Sequence, residues 1–79
     1  MDLQERFEIW QKLAGSYMSS DGYCSMDRLA DRTGLEIGSL INMVIDKYGD
    51  GITTLEGMNA WAERVMTAMD LEEMEEMCT

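Results

Sequence analysis

Residues 25–45, SMDRLADRTGLEIGSLINMVI, decide the fold. Ser25 opens the stretch as a helix cap, with Asp27 as the acid of the first turn. Thr33-Gly34-Leu35 then interrupts it, and glycine permits a tight reversal there without steric cost. The reading is a short helix over 25–33 and a longer one over 36–48. Ala30 is small enough to let the two helices approach, and Leu40 and Met43 supply the apolar pair that anchors the second on the first.

Outward from this centre the same periodicity continues. Upstream, Leu3, Phe7, Trp10, Ala14 and Tyr17 recur at alternating steps of four and three, which stacks them on one face of a helix over 3–18 and marks them as core. Asp2–Arg6 and Glu8–Lys12 fall on the other faces at the spacing that supports an exposed helix. Downstream, a last helix starting near Leu55 turns Met58, Trp61, Val65 and Met69 toward the core. Ser19-Ser20-Asp21-Gly22 ends the first helix with turn chemistry. The segment from Asp50 to Glu56 repeats the order of Asp21 to Asp27: a turn, a β-friendly pair, a hydroxyl cap and an acidic first turn. Two halves facing each other would let 23–24 pair with 52–53 as a minimal two-stranded bridge. The expected fold class is therefore all-α: one compact four-helix domain over 1–79, with at most that bridge as sheet.

Composition narrows the function. A chain of 79 residues has room for one small core. Its 46% hydrophobic and 28% charged residues are those of a folded domain. Sixteen acidic against six basic residues give a formal net charge of −10, and there is no histidine. The commonest general base and neutral metal ligand are thus missing, and neither Cys24 nor Cys78 has an activating partner. No enzymatic role, cofactor or metal is expected. Two distant cysteines without an export signal point to reduced thiols and a cytoplasmic protein, and no segment has the length of a membrane span.

The central stretch, through Ala30, Gly34, Leu40 and Met43, resembles the core of the helix-turn-helix proteins. That resemblance implies that Glu36, Gly38, Ser39 and Asn42, with Asp46 further along, face the major groove. Two of these are carboxylates, and the basic residues Arg6, Lys12, Arg28, Arg32, Lys47 and Arg64 form no cluster in sequence. Arg28 and Arg32 share a helical face but stand beside Asp27 and Asp31, the pattern of a solvated surface. DNA affinity depends on neutralising phosphates, so direct nucleic-acid binding is not expected. A regulator acting in a complex whose partner supplies the positive charge is the alternative. Residues 46–56, DKYGDGITTLE, also resemble an EF-hand calcium loop through Asp46, Asp50, Gly51 and Glu56. Tyr48 stands where the third-position oxygen ligand belongs, and the loop is one residue short. A calcium-binding protein of degenerate EF-hand type is the second alternative. Asp-Gly as a helix-ending turn and Thr54 with Glu56 as capping chemistry account for the same residues without a metal.

From Asp70 the chain changes character. Asp70, Glu72, Glu73, Glu75 and Glu76 follow without a base, while Leu71, Met74 and Cys78 hold an apolar stripe with Met77 beside it. Residues 70–79 read as an acidic, methionine-edged helix end suited to docking, including docking onto a second copy. The leading expectation is a small acidic interaction module or inhibitor, of the kind phages encode, that binds a basic protein surface and occupies its nucleic-acid site. The expected contact residues are Glu36, Asn42 and Asp46 centrally and Glu72, Glu73, Met74, Glu76 and Met77 at the end.

Overall fold

The computed structural model describes residues 2–78, without the side chains of 77 and 78. Four helices follow in order: α1 (Leu3–Met18), α2 (Ser25–Thr33), α3 (Ile37–Tyr48) and α4 (Leu55–Cys78), with a single 3-10 turn, Gly49–Gly51, between the last two. Several boundaries have a local cause. Asp2 caps α1, its Oδ1 accepting from the Glu5 amide at 2.8 Å. Gly34 ends α2 in the left-handed conformation at φ 74°, and its amide donates to the Ala30 carbonyl. Thr54 opens α4 by accepting from the Gly57 amide at 3.1 Å.

Every helix contributes to one core. Leu13 comes from α1, Met26 and Leu29 from α2, Leu40, Ile41, Val44 and Ile45 from α3, and Met58, Trp61 and Ala62 from α4. With four of these ten residues, α3 is the central helix, and only its Ser39, Asn42, Met43, Asp46 and Lys47 reach the exposed surface. Val65, Met66 and Met69 pack against the core from the middle of α4, and every residue from Asp70 to Glu76 is exposed. A 24-residue helix is about 36 Å long, so the second half of α4 overhangs the core as an arm. The radius of gyration, 13.7 Å, exceeds the roughly 12 Å of a compact domain this size for that reason.

Four expectations are corrected. No strand or bridge forms among the described residues. The Cys24 carbonyl accepts from the Asp27 and Arg28 amides instead, so this segment spends its acceptor on starting α2. Ser25 is the first residue of α2 rather than its cap. Cys24 holds the cap position without a side-chain bond, and Asn59 of α4 supplies the missing acceptor, its Oδ1 taking the Met26 amide at 3.1 Å. On α1 only part of the expected stripe is covered: Trp10, Ala14 and Tyr17 pack against the core beside the fully buried Leu13, whereas Leu3 and Phe7 are 86% and 58% exposed. The first two turns of α1 run beyond the core they were expected to fill. Met43 likewise stands at the surface, and Val44 and Ile45 do the anchoring in its place.

Candidate interaction surface

Ion pairs fix how the helices sit and where charge is left over. Arg6 of α1 meets Asp46 of α3 at 2.6 Å. Arg28 of α2 meets Glu63 of α4 at 3.3 Å, and the same Glu63 oxygen accepts from Ser25 at 2.9 Å. Arg32, in the last turn of α2, meets Asp70 at 2.7 Å and Glu73 at 3.2 Å. These partners, Asp70 foremost, push the Arg32 guanidinium pKa further up. Arg28 and Arg32 thus form a strap between α2 and α4 where the sequence suggested a solvated face. Tyr17 ties α1 to α2 by donating its hydroxyl to Asp27. That hydrogen bond, followed by desolvation and the Asp27 charge, pushes the Tyr17 phenol up to about 12. Cys24 is a free thiol whose Sγ lies 3.6 Å from the other Asp27 oxygen.

Between α3 and α4 lies an apolar groove of about 330 Å³. Leu29 and Thr33 of α2, Leu35 of the turn, Leu40, Met43 and Lys47 of α3, and Trp61 and Val65 of α4 line it. Leu35 and Met43 are 39% and 47% exposed. Lys47 is the charged residue of its lining, its ammonium 5.6 Å from the Tyr48 ring centre. Glu36, exposed, follows the groove residue Leu35 in sequence. Positions 61, 65 and 72 of α4 share a face by helical spacing, so exposed Glu72 lies on the same side of α4 about 10 Å beyond Val65.

A second apolar opening, about 390 Å³, is lined by Leu3, Arg6, Phe7 and Trp10 of α1 and Asn42 of α3. Its one charged lining residue, Arg6, is already paired with Asp46.

The residues expected to act together are therefore divided. Glu36 is exposed in the turn before α3, and Glu72 and Glu76 are exposed one turn apart on the arm. Asn42 and Asp46 face α1, and the Asp46 carboxylate is held by Arg6. Glu73 is held by Arg32 on the opposite side of α4. Met74 is 61% exposed on the outer face of the arm, and the Met77 side chain lies outside the described residues. Sequence reasoning missed Leu35 as a groove residue. Its signal was present, because an apolar side chain directly after the turn glycine has no helix face of its own to join. In the loop that resembles a calcium site, Asp46 is engaged by Arg6, and no group of three acidic or cysteine side chains converges among the described residues. No helix among them is long and apolar enough to cross a membrane. Comparison with protein-family models, curated proteins and solved structures finds no match.

Proposed function

We propose that this chain is a small acidic interaction module that binds a protein through a basic surface on that partner. One observation carries the reading: half of the basic residues are paired with carboxylates of neighbouring helices, and the surface excess that remains is negative. Arg6, Arg28 and Arg32, half of the six basic residues, each pair with a carboxylate of a neighbouring helix. The excess of ten negative charges is carried by surface side chains and is densest on the arm. Such a body attracts a cationic surface over distances set by the Debye length, about 8 Å at physiological salt, and repels nucleic acid and anionic lipid. A partner that uses the same surface to hold nucleic acid is inhibited by occupancy alone.

The test is capture from lysate with the tagged chain at low and high salt, followed by association kinetics with the captured protein. A basic, salt-released partner is expected. Reversing Glu72, Glu73 and Glu76 to lysine should slow its association by about tenfold or more at low salt and change dissociation little, because exposed charges act on encounter. An unchanged association rate overturns the reading. So does retention of DNA by the chain alone, which favours a regulator built on the α2–α3 pair.

A further inference from the structure

We infer that α1 is the contact surface for a second copy of this chain, which packs antiparallel on the uncharged face that starts at Leu3. This goes beyond the acidic-module reading, which concerns the arm and a basic partner.

The face follows from helical geometry. With successive side chains about 100° apart around the axis, Leu3, Phe7, Trp10, Ala14 and Met18 fall on one arc of α1, and Gln4, Gln11 and Gly15 complete its far edge. The arc spans roughly 140° of the helix circumference and carries no charged side chain. Asp2, Glu5, Arg6, Glu8 and Lys12 all lie on the remaining circumference. Leu3, Phe7 and Met18 are exposed, Met18 to 82%, while Trp10 and Ala14 are half-buried where the arc meets the core. A solvated helix face in so acidic a chain carries charge, as the other exposed face of α1 does. An exposed apolar face kept free of charge is the mark of contact with protein.

Electrostatics and shape select a second copy as that protein. Two molecules of net charge −10 repel each other, and the repulsion is least where the acidic excess is smallest. Asp2, Glu5 and Glu8 against Arg6 and Lys12 leave α1 with its cap one negative charge of the ten. A basic surface is drawn to the carboxylates elsewhere and finds none on this arc, whereas a second copy brings the same neutral strip. A two-fold contact also needs a projection and a recess on one face, because each copy must serve as both partners. Phe7 projects from the arc, and beside it lies the recess of about 390 Å³ lined by Leu3, Trp10 and Asn42, whose charged member, Arg6, is already held by Asp46. With the two-fold axis between Glu8 and Ile9, Leu3 faces Ala14 of the copy, Phe7 faces Trp10 of the copy, and Gln4 comes beside Gln11 of the copy. The large side chain thus meets the small one and the aromatic rings meet each other. A contact confined to one helix and the edge of α3 falls below the roughly 1,200 Å² of stable interfaces, so the dimer is a weak one, with a Kd on the order of 100 µM.

Sedimentation equilibrium of the full chain tests this from about 10 µM to about 1 mM, at low salt and at about 0.5 M sodium chloride. The mass should rise from monomer toward dimer with concentration and stop there. Association should be at least about threefold tighter at high salt, because salt screens the repulsion and leaves the apolar contact. Phe7→Ser should weaken it at least about tenfold, with circular dichroism confirming the fold. Gln11→Glu, which places a carboxylate on the arc without touching the core, should weaken it several-fold at low salt and recover at high salt. Leu71→Ser on the arm should leave it unchanged.

A monomer at every concentration and both salts overturns the inference, as does association that is tighter at low salt. Loss of the dimer in Leu71→Ser and its persistence in Phe7→Ser move the second copy to the arm and overturn it too. Growth beyond the dimer refutes the two-fold contact. No basic partner enters the measurement, so each of these outcomes leaves the acidic-module reading to its own test.

Discussion

Gly15 and Gly57 both lie within helices, and replacing each by alanine should move stability in opposite directions. Gly15 sits inside α1 with open space where a Cβ would project. Alanine there removes unfolded-state freedom and exposed backbone, a gain of roughly 0.5–1 kcal/mol. For a domain this size that corresponds to a rise of about 4–8 °C in Tm per kcal/mol. Gly57 lies in the first turn of α4, where a Cβ would stand 2.9 Å from Ile52 Cγ2 and 3.4 Å from Thr54 Oγ1. The Ile52 methyl is attached directly to a branched Cβ with a stiff χ1, so it cannot swing aside as the end of a long chain would. The loop carrying Ile52 has to move, at a cost of about 1–3 kcal/mol. The helix-propensity gain of at most about 1 kcal/mol does not cover that. Gly57→Ala should therefore destabilise by about 1 kcal/mol net, read by urea denaturation followed through far-UV circular dichroism. In an Ile52→Ala background the obstructing methyl is gone, and Gly57→Ala should become neutral or stabilising, with a coupling of at least about 0.5 kcal/mol. A Gly57→Ala protein as stable as the parent, or a penalty that persists without the Ile52 methyl, refutes the close packing of this loop on α4.

Tyrosinate absorbance should resolve one of the three tyrosines titrating near pH 12, and Tyr17→Phe should remove that step. The raised pKa means that the native state holds its proton after the unfolded chain has lost its own. Tyr17 therefore stabilises the fold fully below about pH 10 and loses that contribution as pH climbs from 10 toward 12, so Tyr17→Phe should flatten the alkaline fall in stability. If no tyrosine titrates above its ordinary value, the hydrogen bond to Asp27 is wrong. Arg32→Gln should speed amide exchange from Asp70 to Glu76 while leaving the protection of α3 unchanged, and equal exchange in both proteins refutes the strap. Leu71→Pro breaks the arm without altering net charge. Ellipticity should drop by the equivalent of about two turns, core stability should hold within about 0.5 kcal/mol because Leu71 is exposed, and affinity for a basic partner should fall. Undiminished affinity would show that charge alone, without a rigid helix, suffices.

Helix positions were legible because apolar periodicity is a local signal: 3–18, 25–33 and the start at Leu55 are found where the spacing places them. What periodicity omits is how far each helix overlaps its neighbours. Leu3 and Phe7 share a face with Trp10, yet α1 reaches beyond the core, so the same stripe is half-buried at Trp10 and open to water at Leu3. The cap of α2 was illegible for a related reason. Its acceptor, Asn59, is 33 residues away on another helix, and nothing around Cys24 announces it. At the candidate surface, the residue types were legible and their grouping was not. Asp46 and Glu73 resemble Glu36 and Glu72 in sequence, and only the placement of Arg6 and Arg32 shows the first two to be engaged.

The arm differs physically from an acidic tail of the same composition. A disordered run of glutamates presents its charge as an average over many conformations and gives up that freedom on binding. Here the helix is started by Thr54, held through its middle by Met58, Trp61, Ala62 and Val65 against the core, and tied back by Arg32 at Asp70 and Glu73. The carboxylates beyond that point stand at helical spacing and in one direction before any partner arrives. Ordering costs little at the moment of binding, so more of the electrostatic attraction remains as affinity. The two contacts of Arg32 join partly exposed groups and weaken with added salt, so the buried half of α4 carries most of the arm's alignment and Arg32 refines it. Salt therefore acts first on the encounter with a partner and only second on the shape that the partner meets.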